Sequence, residues 1–186
     1  MNLILGSKSP RRQELLKGLG FNFSVRASET DESYSNDLPV SEVAAFIASK
    51  KSNHLINSLT SNDLLLCADT IVTVDEVILG KPNGRSEAIQ MLELLSGRNH
   101  KVMTGVCLSS LEKQIVFTVT TTVFFNSLSK DVISHYVDFY KPYDKAGAYG
   151  IQEWIGFVAV DRIEGSYTNV VGLPTFETYQ SITQFQ

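Results

Sequence analysis

At 186 residues, 43% hydrophobic and 19% charged, the chain has the composition of one soluble globular domain. A chain of that size buries about 70% of its unfolded surface. A net charge of −4 argues against a general nucleic-acid-binding protein, whose basic charge would have to be local. The longest uncharged stretch, residues 114–129, is polar at alternate positions and too short for a membrane-spanning helix, so no membrane association is expected.

Residues 2–6, Asn-Leu-Ile-Leu-Gly, read as a buried strand ended by glycine, starting so early that no signal peptide is visible. Ser9 then caps a helix with Pro10 at its first position, where a missing N–H costs nothing. Leu15, Leu16 and Leu19 form its apolar face. Lys8, Arg11 and Arg12 place three cations at a helix end that already carries positive partial charge. A bound phosphate would relieve that conflict; the ordinary alternative is neutralisation by Glu14 or by acids elsewhere. The first twenty residues carry +3 and residues 28–42 carry −5. Basic loop and acidic segment either screen one another or hold phosphate and metal respectively.

A second strand at 21–25 leads into a polar, acidic loop through Leu38. Pro39 opens a long helix ending near Leu59, with Val40, Val43, Ala44, Ile47 and Ala48 at helical spacing. Lys51 falls next on that stripe, where a lysine either snorkels to solvent or reaches an anion in a cleft. Residues 64–68 form a buried strand that Asp69-Thr70 is expected to interrupt before 71–74 resumes. An acid in such a run is costly unless paired or metal-bound, and strand ends are where α/β enzymes place chemistry. That favours a functional Asp69 over a turn residue. A short strand from Val77 ends in a turn, with Pro82 holding Lys81 extended.

Residues 86–96 make an amphipathic helix closed by Gly97. Residues 100–110 and 114–125 suggest a long antiparallel hairpin, with Ile115, Phe117, Val119, Val123 and Phe125 on one face. Ser129 caps a helix through Tyr140, with Val132, Ile133, Tyr136, Val137 and Tyr140 inward. The tyrosine- and glycine-rich stretch 142–152 either lines a base pocket or packs tightly around a short helix. A strand at 157–163, a turn at 164–167 and a helix from Pro174 to about Ile182 complete the chain. Cys67 and Cys107 lie in apolar runs without a metal motif, which suggests a reducing, intracellular setting. His54, His100 and His135 lack zinc spacing and read as structural.

Six stretches carry a resemblance: residues 7–12 (Ser-Lys-Ser-Pro-Arg-Arg), 68–72 (Ala-Asp-Thr-Ile-Val), 80–82 (Gly-Lys-Pro), Leu95-Ser-Gly-Arg98 with Thr104-Gly105, 144–152 (Asp-Lys-Ala-Gly-Ala-Tyr-Gly-Ile-Gln) and 165–174. In this order they resemble the Maf proteins, a family of nucleoside triphosphate pyrophosphatases, from the first strand to the last helix. The resemblance implies a single domain over residues 1–186, with an α/β fold similar to inosine triphosphate pyrophosphatases. That fold has a long mixed twisted sheet flanked by helices, and two lobes with a central cleft. It implies metal-dependent hydrolysis of a nucleoside triphosphate to the monophosphate and pyrophosphate in the cytoplasm, with Mg²⁺ or Mn²⁺, and a possible homodimer. Matched by position, Ser7, Arg11, Lys51 and Lys81 are phosphate ligands, and Glu32 with Asp69 is the metal-binding acidic pair. Asp69, Glu32, Lys51 and Lys81 form the catalytic group, with Asp69 as proton acceptor. Arg12, Thr70 and Gln152 match the subgroup acting on dTTP and UTP; the subgroup acting on 7-methyl-GTP has a different late motif. The family has also been linked to septum formation, so a nucleotide-binding regulator of cell division is the alternative. Gly6 and Ser52 stand where the family prefers alanine, and Glu153-Trp154 where glycine is commoner.

Overall fold

Residues 64–68 are apolar at every position, and both faces of the strand they lie in are covered. In the computed structural model, which describes residues 1–27 and 29–185, that strand is preceded by β1 (Asn2–Leu5), α1 (Pro10–Gly18), β2 (Phe23–Val25) and α2 (Val40–Leu55). It is itself β3 (Asp63–Val74), followed by β4 (Val77–Leu79), α3 (Arg85–Leu95), β5 (Asn99–Ser109) and β6 (Gln114–Phe125). Then come α4 (Lys130–Tyr140), α5 (Trp154–Ala159), β7 (Val160–Glu164), α6 (Tyr167–Val171) and α7 (Thr175–Thr183). The strands form one mixed sheet in the order β2-β1-β3-β5-β6-β7, with β4 paired to β3. β1 is parallel to β2 and β3, placing Leu5 opposite Val25 and Leu66; the β3–β4 and β6–β7 pairs are antiparallel. Among the described residues no helix is long and apolar enough to cross a membrane.

The chain forms two compact units, Met1–Thr70 with Thr104–Val119 and Gly172–Gln186, and Ile71–Met103 with Thr120–Val171. In the first, Leu64, Leu66 and Ala68 pack with Leu3, Leu5 and Leu16, on the α1 side of the sheet. Leu65 and Cys67 pack with Ile4, Ala48 and Leu55, on the α2 side. The strand's period of two continues this alternation, sending Asp69 to the α2 side and Thr70 to the α1 side. α2 lies so close to β5 that a Cβ on Gly105 would sit 2.2 Å from the Ala44 carbonyl carbon. A Cβ on Gly6 would sit 2.4 Å from Cys67 Sγ, so an alanine there requires the Cys67 side chain to move. Ser52 is fully buried, and its hydroxyl shares a 2.7 Å hydrogen bond with that of Ser109.

In the second unit a single cluster joins α3, α4 and α5 to strand residues such as Val72, Val102 and Val123. His100 and Tyr149 are buried within it against Phe125, and His100 Nε2 shares a 2.7 Å hydrogen bond with the Tyr149 hydroxyl.

Three expectations are corrected, and one pair of alternatives is decided. Asp69-Thr70 does not interrupt the strand; β3 runs unbroken from Asp63 to Val74, because a lysine satisfies the carboxylate in place. Residues 157–163 are not one strand: α5 continues through Ala159 before β7 begins. Ile155 and Ala159, four apart, are buried while Phe157 is 84% exposed, which is a helical rather than an alternating pattern. Tyr140 is not inward but exposed, at the last turn of α4, and Val132 is half-buried. Tyr149 is a core residue, so the packed-loop reading of 142–152 holds at that position, with a 3₁₀ turn at Ala146–Ala148.

Burial pushes the His100 imidazole from 6.5 down to about 4. The unfolded chain therefore takes up the extra proton between pH 6.5 and 4. Stability from the neutral buried ring is full above pH 6.5 and lost as pH falls toward 4, up to roughly 3 kcal/mol. Urea unfolding at pH 7.5 and 4.5 should show this loss, and H100Q should flatten it. A second prediction concerns the α2–β5 contact. G105A should destabilise the protein by at least about 2 kcal/mol, because the new methyl group meets backbone rather than a movable side chain. Its urea midpoint measures this directly.

Candidate active site

One of the three cations at the start of α1, Arg12, is held by neutral groups. Ser9 caps the helix, its Oγ accepting from the Arg12 N–H at 3.4 Å, as the Ser-Pro pair dictates. Arg12 then reaches three groups at once. Its Nε donates to the Gly172 carbonyl at 2.8 Å, Nη2 to Thr70 Oγ1 at 3.0 Å and Nη1 to Ser7 Oγ at 3.4 Å. The Thr70 and Thr104 hydroxyls are hydrogen-bonded at 2.9 Å, extending the network to β5. Ser7 Oγ also accepts from the Ser9 N–H at 3.2 Å. Gly172 presents its carbonyl from φ +127°, a conformation that favours glycine. Burial lowers the Arg12 pKa from 12.5, with Asp69 opposing the shift and Arg11 adding to it. An arginine remains charged under these conditions. No acidic residue lies in the first turn of α1, and Glu14 is exposed.

On the opposite face of the strand, Lys51 continues the inward stripe of α2. Its Nζ lies 2.6 Å from Asp69 Oδ1 and 2.7 Å from Glu32 Oε1. The Lys51 and Asp69 side chains are only 16% and 13% exposed, whereas Glu32 is 49% exposed. The lysine does not snorkel; it draws two carboxylates from distant segments to one point. The preceding residue grips the preceding acid: Lys50 Nζ binds Asp31 Oδ2 at 2.9 Å and donates to the Ser33 carbonyl at 3.0 Å. The hydrogen bond from the Ser33 side chain, then that from Lys50, holds the Asp31 carboxyl well below the usual carboxylate range. Successive lysines of one helix thus anchor successive acids of an otherwise irregular loop.

Glu32 and Asp69 supply hard oxygen donors, and among the described residues no group of three or more His, Cys, Asp or Glu is placed to hold a metal. That donor set fits an oxygen-loving ion such as Mg²⁺ or Mn²⁺, completed by substrate oxygens and water, and does not fit a zinc cage.

In the second unit, Lys81 is exposed immediately after β4. The Gly80 carbonyl before it accepts from the Gly147 N–H at 3.1 Å. Gly147 has φ +67°, and a Cβ there would lie 2.9 Å from Val72 Cγ1. Gln152 is exposed in a turn closed by the Glu153 N–H donating to the Gly150 carbonyl at 3.0 Å.

The first unit therefore joins Ser7, Arg12 and Thr70 in one network and Glu32, Lys51 and Asp69 in another, with Asp69 and Thr70 adjacent on β3. Arg11 is half-buried beside Arg12 in α1. Sequence reasoning missed the Gly172 carbonyl, the Thr104 hydroxyl and the Lys50–Asp31 pair. The glycine before Leu173-Pro174 was the one signal available for the first.

Residues 2–185 match the family model described as Maf-like protein. A dTTP/UTP pyrophosphatase of Bacteroides fragilis is 48% identical over 183 residues, covering 98% of this chain and 95% of that protein. A protein of the same name from Parabacteroides distasonis is 45% identical over 184 residues, covering 98% of this chain and 95% of its own. Among solved structures, the Staphylococcus aureus Ham1 protein superposes with a TM-score of 0.58 over 100% of both chains at 15% identity, which shows a shared fold.

Proposed function

This chain belongs to the Maf-like family, and from that premise we infer that it hydrolyses nucleoside triphosphates, with dTTP and UTP favoured, to nucleoside monophosphate and pyrophosphate. The observation that carries the reading is the convergence of Glu32 and Asp69 on Lys51. Hydrolysis at the α-phosphorus needs a base for water and cations for developing charge. In our reading water forms the new P–O bond, the bond from the α-phosphorus to the bridging oxygen breaks, and pyrophosphate leaves with that oxygen. Asp69 receives the proton of the attacking water. Ser7, Arg11, Lys51 and Lys81 hold the phosphates. Glu32 and Asp69 hold the divalent ion, which when bound polarises phosphate oxygens and favours the leaving group. Arg12, Thr70 and Gln152 select the base.

Residues 1–186 act as one catalytic domain in this reading, consistent with a family match over 2–185. The reaction belongs in the cytoplasm, where its substrates are made and where the free, buried thiols of Cys67 and Cys107 suit a reducing milieu.

D69N tests the assignment. Pyrophosphate release from dTTP should fall by about 10²- to 10⁴-fold while dTTP affinity, measured by calorimetry, stays within about threefold. Turnover that survives the change would remove Asp69 as proton acceptor. In the same assay on dTTP, UTP, CTP, GTP and ATP, the wild-type enzyme should favour the first two and lose activity to chelator. A purine preference would sink the substrate assignment and keep the reaction.

A further inference from the structure

Gln152 is a poor discriminator by itself. Its carboxamide donates through Nε2 and accepts through Oε1. In one orientation it matches the N3–H donor and O4 acceptor of uracil or thymine. A half-turn about its last side-chain bond makes it match the N4 amino donor and N3 acceptor of cytosine. Selectivity therefore depends on how the residue is held.

The turn that presents Gln152 is closed twice. Its backbone closure is the Glu153 N–H to the Gly150 carbonyl at 3.0 Å. Its second closure runs through side chains: the Gly150 N–H donates to the Tyr136 hydroxyl at 3.1 Å, and that hydroxyl donates to Glu153 Oε2. The other carboxylate oxygen, Oε1, lies 3.0 Å from Lys145 Nζ, which also binds Asp144 Oδ1 at 2.7 Å. Glu153 sits at the N-cap of α5, yet its side chain makes no cap hydrogen bond. Its carboxylate serves the turn instead. Tyr136 is fully buried, and burial, then the Glu153 hydrogen bond, pushes its pKa well up, so it stays a donor throughout the neutral range. A Cβ on Gly150 would lie 3.0 Å from both Glu153 Cδ and Lys145 Cε, so the closure leaves little slack.

We propose that Glu153 is a positioning residue for base selection, fixing the Gly150–Glu153 turn through the Tyr136 hydroxyl so that Gln152 is presented in one geometry. The inference rests on the reading of Gln152 as a base-contacting residue. Releasing the second closure frees Gln152 to re-pair with cytosine. It leaves the phosphate and carboxylate groups of the reaction untouched.

The test compares kcat/KM for dTTP, UTP and CTP in wild type, E153A, E153Q and Q152A. E153A should reduce the dTTP-to-CTP preference by about five- to twentyfold, through a higher KM for dTTP and a gain on CTP. Its kcat for dTTP should stay within about twofold. E153Q keeps an oxygen to accept from Tyr136 and should retain the preference to within about twofold. A uniform loss on all three nucleotides, or an unchanged preference in E153A while Q152A loses it, overturns the proposal and leaves the Gln152 reading intact. An unchanged preference in Q152A overturns both. Should E153A fail to fold, Y136F deletes only the bridging oxygen and carries the same expectation and the same refutation.

Discussion

A lysine held between two carboxylates is the interaction on which the first unit depends. Asp69 follows a run of five buried apolar residues in its strand, where an unpaired carboxylate would be expensive to bury. Lys51 makes that position tolerable and collects Glu32 from a loop with no regular structure of its own. The lysine comes within reach of Asp69 where α2 lies close to the sheet, the Ala44–Ala45 peptide facing Gly105 of β5. A helix held farther from the sheet by larger residues would leave the acid without its partner. Packing and charge are one constraint here.

The other face of the same strand shows a different solution to buried charge. Arg12 has no carboxylate among its hydrogen-bond acceptors; it donates to a carbonyl and two hydroxyls. Such neutral acceptors satisfy the guanidinium without cancelling its charge. A guanidinium held in this way keeps its charge, which suits the phosphate-binding role proposed for this end of α1. Ser7, Thr70 and Thr104 are polar residues whose value lies in being uncharged.

Much of this was legible in the sequence, and the boundary is physical. The strand, cap and helix at the start of the chain follow from local signals, namely an apolar run, Ser9-Pro10 and leucines at helical spacing. Asp69 stood out because a charge in an apolar run demands a partner. Its effect on the backbone was misjudged because that partner is eighteen positions away and invisible to local reasoning. The run Phe157-Val-Ala-Val160 suits strand and helix equally by composition, and the burial of Ile155 and Ala159 decides for the helix. Tyr149 reads equally as a pocket aromatic or as packing until His100 supplies its partner from β5. A backbone carbonyl such as that of Gly172 has no side-chain signature at all. What sequence reasoning reached was local periodicity and misplaced charge; what it missed were contacts between segments far apart in the chain.

The Arg12–Gly172 hydrogen bond joins positions 160 residues apart, and the first unit draws its residues from both ends of the chain. A ribosome delivers β1 and α1 well before the segment beginning at Gly172. The second unit, built from residues between 71 and 171, is complete in sequence before that acceptor emerges. During synthesis the arginine-bearing helix must wait, its guanidinium hydrated, until the final segment arrives. Closure around Arg12 is therefore a late, non-local event, slow by the usual dependence of folding rate on sequence separation. A nascent or truncated chain lacking the segment from Gly172 holds Glu32, Asp69 and the lysine between them, but not the acceptor that fixes Arg12.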